Sequence, residues 1–405
     1  MTAAEQRVLV TGLGIAAPNG FGLGEYWAAV CGGSHGIGRI SRFDPGQYPS
    51  TLAGEIKDFT AADHLPGRLL AQTDRMTQLS LVAAELAFED AGIRPEDIPA
   101  FDMGVVTAGA SGGFEFGQRE LQALWSRGSQ YVSAYQSFAW FYAVNTGQIS
   151  IRNGMRGPGG VVVADQAGGL DAVARARRQV RRGTPVMMTG AVDASLCPWG
   201  WVAWMAGGTL STSDDPQHAY LPFDARANGG VPGEGGALLV LEDAATAYER
   251  GAPTVYGEIL GYGATFDPRP GSGREPGLRR AVELALQDAG TEADQIDVVY
   301  ADAAAVPELD RVEAEVISKI FGPNGVPVTA PKTMTGRLNS GAGPLDVATA
   351  LLSLRYGVIP PTVHTVLSSA YDIDLVGEPR AATLRTAVIL ARGRGGFNSA
   401  MVIRS

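Results

Sequence analysis

The segment that most constrains this chain is Val161 to Val173, VVVADQAGGLDAV. Three valines and an alanine form an apolar run too short for a helix and rich in β-branching, which predicts a buried strand. Asp165, Gln166 and the Gly168-Gly169 pair interrupt it, and Leu170, Val173 and Ala174 then recur at helical spacing. The expectation is strand, tight turn, helix, with Gln166 at the turn. A side chain there meets the unpaired N–H groups and the positive dipole end of the helix, which favour developing negative charge. Activated serine and cysteine nucleophiles use such positions. A glutamine amide cannot attack an acyl carbon, so the sequence builds the position and leaves out its nucleophile.

At 405 residues the chain exceeds the size at which one core stops growing, so two packed halves are expected. A hydrophobic content of 45% with 18% charged residues is that of a soluble globular protein, and 54 glycines imply many tight turns. The net charge of −10 argues against nucleic acid as the main partner. MTAAEQRVLVTG carries no apolar signal core and no run approaches the length of a membrane span, so a cytoplasmic chain without membrane attachment is expected. Cys31 and Cys197, in CGGSHG and LCPWG, lack metal-ligand spacing. Buried free thiols are expected, with no metal site and no cofactor.

Arg7 to Gly12 predicts a first strand, and Gly12, Gly14 and Ala17 match the G-x-G-x-x-A dinucleotide pattern. Pro18, Asn19 and Gly20 break the chain where the helix of that motif should run, which ranks a nicotinamide-dependent oxidoreductase low. Further on, periodicity predicts a helix over 75–91, a strand over 103–107 and a helix over 115–125. Phe114, Gly117 and Leu121 share one stripe, read plainly as core or interface. Arg175, Arg177, Arg178, Arg181 and Arg182 end the helix after Gln166. They are expected to be solvated and to complement its C-terminus, with docking of an acidic carrier protein as the alternative. Trp199, Trp201 and Trp204 suggest buried packing. Strands follow over 185–191 and 237–241. Arg250 to Pro253 marks a boundary between halves 1–250 and 251–405, the second opening with elements over 278–289, 298–301 and 308–321. Strands alternating with amphipathic helices imply a layered α/β fold.

The turn at Gln166 resembles the nucleophile turn of β-ketoacyl synthases, in which a cysteine stands there. More closely it resembles the chain length factor, or ketosynthase β, of bacterial type II aromatic polyketide synthases, which carries glutamine. The likeness extends through VLVTGLGIAAPNG, SFAWFYAVNTGQISIRNGMRGP, PFDARANGGVPGEGGALLVLED and the closing GRGGFNSAMVI. It implies a thiolase-type fold, with duplicated halves in five αβαβα layers, and an obligatory dimer. In ketosynthases two histidines from the second half complete the site. Aligning ADAAAVPELDRVEAE on Asp310 and Glu313 puts Asp302 at the first histidine position. In KTMTGRLNSGAGPLD, Lys332 and Gly336 remain and Arg337 stands at the second. His35, His64, His218 and His364 lie outside these motifs.

The resemblance therefore implies a subunit that is not catalytic alone, with Gln166, Asp302 and Arg337 at inactivated positions. Its partners would be a Cys-bearing ketosynthase α and an acyl carrier protein with a phosphopantetheine-tethered polyketide. Phe114, Gly117, Leu121 and Phe138 fall where the family lines its chain-length tunnel at the subunit interface. The alternative is a malonyl-acyl carrier protein decarboxylase supplying acetyl starter. A carboxylate at 302 speaks against it by repelling the malonyl carboxylate and the enolate. Asp302 and Arg337 are instead expected to pair and, with Gln166 as a neutral filler, to plug the site.

Overall fold

The computed structural model describes residues 7–269 and 271–405; the opening MTAAEQ lies outside them. Ten strands carry the architecture: β1 (Val8–Ala17), β2 (Met103–Ala108), β3 (Gly159–Val162), β4 (Val186–Asp193), β5 (Gly235–Asp243), β6 (Gly257–Phe266), β7 (Val298–Tyr300), β8 (Pro327–Thr329), β9 (Thr386–Gly393) and β10 (Phe397–Arg404). They run in one sheet in the order β8-β7-β9-β10-β6-β1-β5-β4-β2-β3, with Asp374–Leu375 beyond β8 and Gly20–Phe21 beside β1. Read outward from the middle, both wings show the same sequence of pairings, two antiparallel and then two parallel. The chain is thus a structural duplication. The wings meet through two residue pairs, Leu9 with Glu258 and Val10 with Gly257.

Side-chain alternation along the strands builds the layers. In β5, Ala237, Leu239 and Leu241 face the central core, whereas Leu238 and Val240 face outward. In β9, Ala387, Ile389 and Ala391 face the same central core, with Val388 and Leu390 on the other side. Two helices fill the centre: α3 (Gly168–Val180) and α6 (Ala342–Tyr356). Every residue of α6 from Ala342 to Leu354 is buried, as a helix sealed between the two wings of the sheet must be. The outer layers are α1 (Arg75–Ala91) on the first wing, and α4 (Leu278–Ala289) with α5 (Pro307–Phe321) on the second. The order is α, β, α, β, α, the thiolase-type arrangement that the sequence resemblance implies. Among the described residues no helix is long and apolar enough to cross a membrane.

Several sequence expectations need correction. The first strand runs on to Ala17, so Gly12 and Gly14 lie inside β1 and form no phosphate-binding turn. Their role is close packing: a Cβ at Gly14 would sit 1.8 Å from the Ala83 carbonyl oxygen of α1. The strand before Gln166 is β3, which ends at Val162 and occupies the free edge of the sheet. It is half-exposed, not buried, and Val163 is 48% exposed. A run of valines reads as interior whether the cover is the chain itself or another molecule. Arg177 is buried rather than solvated, and its Nη1 donates to Asp288 at 2.6 Å.

Candidate functional site

Between β3 and α3 the chain makes a single 3-10 turn, Asp165–Ala167, with Asp165 at a φ of 51°. Ser340 Oγ donates to the Asp165 carbonyl oxygen at 3.0 Å, and the Arg394 N–H donates to Asp165 Oδ2 at 2.8 Å. The C-terminal Gly-rich loop is thereby tied to the turn from above. Gln166 is 6% exposed, and its Oε1 is buried without a hydrogen-bond donor among the described residues.

Asp302 follows β7, in a loop held by two carboxylates of α5. Glu313 Oε1 and Oε2 accept the N–H groups of Asp302 and Ala303 at 2.6 and 2.9 Å. Asp310 accepts those of Ala305 at 3.0 Å and Phe223 at 2.8 Å. These bonds hold Ala303 and Ala305 at φ values of 51° and 57°, a region L-residues enter only when the surroundings impose it. Burial pushes the Asp310 carboxyl up to about 6 and the Glu313 carboxyl up to about 7. Asp310 and Glu313 thus act as the braces of this loop.

Arg337 comes from the turn before α6. Its Nη2 reaches both carboxylate oxygens of Asp302, at 3.1 and 3.0 Å, and its Nη1 donates to the Asp302 carbonyl at 2.7 Å. Both side chains are buried, and the nearby Asp302 and Tyr220 more than offset the burial that would otherwise lower the guanidinium's proton affinity. Asp302 also accepts the Arg392 N–H at 2.9 Å. Lys332, buried beneath, pairs with Asp346 at 2.8 Å and donates to the Ala301 carbonyl. The sequence-expected Asp302–Arg337 pair therefore forms.

It does not plug the site. Gln166, Asp302 and Arg337 line one cavity of about 390 Å³, walled also by Trp204, Arg392 and Arg394. The pair forms part of the wall, and the cavity remains beside it. No cysteine, serine or histidine stands among the described lining residues. Since the Asp302 carboxylate is paired with the Arg337 guanidinium through Nη2, its repulsion of an incoming anion is weaker than that of a free carboxylate. Arg392 and Arg394 were not singled out from the sequence, although Arg394 lies inside the GRGG stretch that was and Arg392 immediately precedes it. Arg394 lies 5.3 Å over the Trp204 ring and donates to the Trp204 carbonyl at 3.2 Å.

The stripe residues sit elsewhere. They belong to α2 (Phe114–Arg127), where Phe114 stacks on Trp199 at 4.5 Å between centroids. A Cβ on Gly117 would meet the Trp199 ring at 3.0 Å and Trp140 at 3.5 Å. Leu121 is 37% exposed on the same helix. Phe138 lines a separate apolar groove of about 640 Å³ with Leu69, Phe141, Val144 and Ile151. Of the tryptophans expected to be buried, Trp201 and Trp204 are; Trp199 is 37% exposed.

None of the four histidines lines the Gln166 cavity. His35 and His364 contact each other edge to face, His64 stacks on Phe59, and His218 bonds Asp215 at 2.6 Å. Cys31 and Cys197 are free, and burial pushes both thiols up to about 11.

The β-ketoacyl synthase N-terminal domain matches residues 5–247 and its C-terminal domain matches residues 256–366. Among relatives, an actinorhodin polyketide putative β-ketoacyl synthase 2 from Streptomyces coelicolor is 62% identical, over 98% of both chains. A tetracenomycin polyketide synthase ketoacyl synthase β subunit from Streptomyces glaucescens is 60% identical, over 99% of both. The granaticin counterpart from Streptomyces violaceoruber is 54% identical, covering 99% of this chain and 97% of its own. The solved ishigamide ketosynthase/chain length factor superposes with a TM-score of 0.90 at 25% identity, over 99% of both chains. A β-ketoacyl synthase from Burkholderia phymatum gives 0.90 at 26%, over 98% of this chain and 99% of its own. With both domains matched and such relatives aligned nearly end to end, this chain belongs to the β-ketoacyl synthase family, among the ketosynthase β subunits of type II polyketide synthases.

Proposed function

We propose that this subunit is the chain length factor of its synthase. It pairs with a Cys-bearing ketosynthase α and sets how far a carrier-protein-bound poly-β-ketone grows from malonyl units. The observation that carries this reading is the composition of the Gln166 cavity. Gln166 stands at the head of α3, where the family's nucleophile would stand, and an Asp302–Arg337 pair stands where imidazoles would serve. Gln166 offers no thiol, and the Asp302 carboxylate, already held by Arg337, replaces the imidazole that would donate to the developing enolate. Condensation then needs the cysteine of a different chain.

The need for a partner is also supported by the surface. Trp125 on α2, and Tyr135, Trp140, Phe141, Tyr142 and Ile151 between α2 and the free edge strand β3, are each at least 40% exposed. Aromatic side chains and an unpaired strand edge are what a protein partner covers. In the proposed role, Gly117 lets Trp199 and Trp140 pack close against α2, and Phe114, Leu121 and Phe138 complete the wall together with the partner.

Co-expression with the ketosynthase α subunit, followed by mass analysis of products from malonyl-CoA and carrier protein, tests the reading. A heterodimer that makes a full-length polyketide, with neither subunit productive alone, is expected. A productive ketosynthase α without this chain would overturn it. The open cavity and the unpartnered Gln166 Oε1 favour a second reading, decarboxylation of malonyl-carrier protein. Release of labelled carbon dioxide by this chain alone, lost in Gln166→Ala, would replace the first reading with that one.

A further inference from the structure

On the side of the molecule formed by the last two turns of α3, a groove of about 600 Å³ opens between α3 and α4, floored by Tyr262, Gly263 and Ala264 of β6. Arg177, Arg178 and Arg181 line it from α3, and Asp288 from α4. Arg177 is 6% exposed and anchored: it donates to Asp288 at 2.6 Å and to the Leu260 carbonyl. Asp288 Oδ2 is further occupied by the Tyr262 N–H at 3.0 Å. Arg178 and Arg181 have no side-chain hydrogen bond or ion pair among the described residues. Glu258, the other carboxylate whose field reaches Arg181, is held by Arg7 at 3.0 Å and Arg404 at 3.1 Å. Three guanidinium groups thus share a groove with one carboxylate, already engaged.

Two further observations point inward. Arg177 Nε and Arg181 Nε are both buried without an acceptor, so two donors are out of reach of bulk water yet unsatisfied. Burial and the neighbouring Arg177 also lower the proton affinity of Arg181, the strain expected of a cation awaiting a counter-charge. The C-terminal dipole of α3 offsets one helix-end cation, not three.

We propose that this groove is a binding site for a phosphate group, held by Arg178 and Arg181 across the mouth with Arg177 fixed behind them. Forked guanidinium donors match the three oxygens of phosphate, and the count of charges suits a dianion better than a carboxylate. The site is separate from the Gln166 cavity and independent of the chain-length reading. Free orthophosphate and the phosphate of a small organic monoester share this chemistry.

The test is calorimetric titration of the full chain, purified as it is expressed, with orthophosphate and with glycerol 3-phosphate at constant ionic strength. Saturable binding of at least one probe is expected, weakened tenfold or more in Arg181→Gln and in Arg178→Gln. Arg178 makes no side-chain bond among the described residues, so its variant keeps the test open should Arg181→Gln not fold. Tighter binding of the ester would identify an organophosphate as the ligand, and equal or tighter binding of orthophosphate the free anion. Absence of binding by either probe, or binding unchanged in both variants, would overturn the site.

Discussion

Arg337 and Asp302 bind each other through two oxygens inside the protein, with 10% and 4% of their side chains exposed. Removing one member leaves an uncompensated buried charge, which typically costs about 3–5 kcal/mol, whereas replacing both with apolar groups is often close to neutral. Asp302→Ala should therefore lower the urea midpoint strongly, and Asp302→Leu combined with Arg337→Leu should recover most of the loss. A double variant as unstable as the single one would assign the cost to the loop and not to the pair. Asp193, at the end of β4, is a buried carboxyl accepting N–H groups from Ser340 at 3.0 Å and Ala110 at 3.2 Å. Burial raises its proton affinity from the ordinary 3.8 to about 7. Across that window the folded state binds the proton that the unfolded state has released. The stabilisation from Asp193 is thus complete below about pH 4 and is lost as pH climbs to about 7. At about 1.4 kcal/mol per pH unit the loss is on the order of 4 kcal/mol at most. Urea midpoints from pH 5 to 8 should fall for the native chain relative to Asp193→Asn; parallel curves would refute the linkage.

At the scale of elements, α2 carries the chain-length proposal. Trp199 and Trp140 stand 3.0 and 3.5 Å from where a Cβ on Gly117 would lie, so any larger side chain must displace an indole or project into the space beyond. Gly117→Phe is expected to shorten the polyketide by at least one malonyl unit in the reconstituted heterodimer, read by product mass. An unchanged product would remove Gly117 from the tunnel wall. The helix itself was legible in the sequence, as were α1 and α4, because each carries a 3.6-residue apolar stripe; α1 and α4 also end on Gly92 and Gly290 at left-handed φ, and Asp74 caps the start of α1. Local pattern could not say how deeply an element is covered. Valines 161–163 read as interior, yet β3 lies at an edge, and Arg177 reads as solvated, yet it is buried against Asp288 of the other half. Both misreadings concern contacts with residues or surfaces that no short window contains. The candidate site divides the same way. Gln166, Asp302 and Arg337 were found because each falls in a stretch that carries the family resemblance, and they line one cavity. Arg392 and Arg394 were passed over because the resemblance drew attention to Gly395, Gly396 and Phe397 of the same loop, and an arginine in a short window reads as solvated whichever way it faces.

The whole molecule joins two copies of one topological plan through a narrow seam at β1 and β6, with α3 and α6 sealed between the wings. What the duplication does not seal is the edge at β3. The second wing continues past its corresponding strand, β8, with the short Asp374–Leu375 segment, whereas the first stops at β3. Most of the apolar groove around Phe138 and most of the exposed aromatic side chains come from the segment between α2 and β3, on the half that ends at that open edge. An edge of this kind invites self-association unless another chain covers it. Ile151 is 76% exposed at the groove and contributes little to the chain's own core. Ile151→Glu should therefore leave the melting temperature of the isolated chain within about 2 °C, since exposed substitutions usually change stability by about 0.5 kcal/mol or less. A charge buried without a partner at an interface should, however, cut co-purification with ketosynthase α at least tenfold. Retained co-purification would move the interface away from this groove, and with it the tunnel role assigned to Phe138. Loss of both stability and binding would place Ile151 in the fold and leave the edge strand itself, through Val163→Lys, as the next place to look.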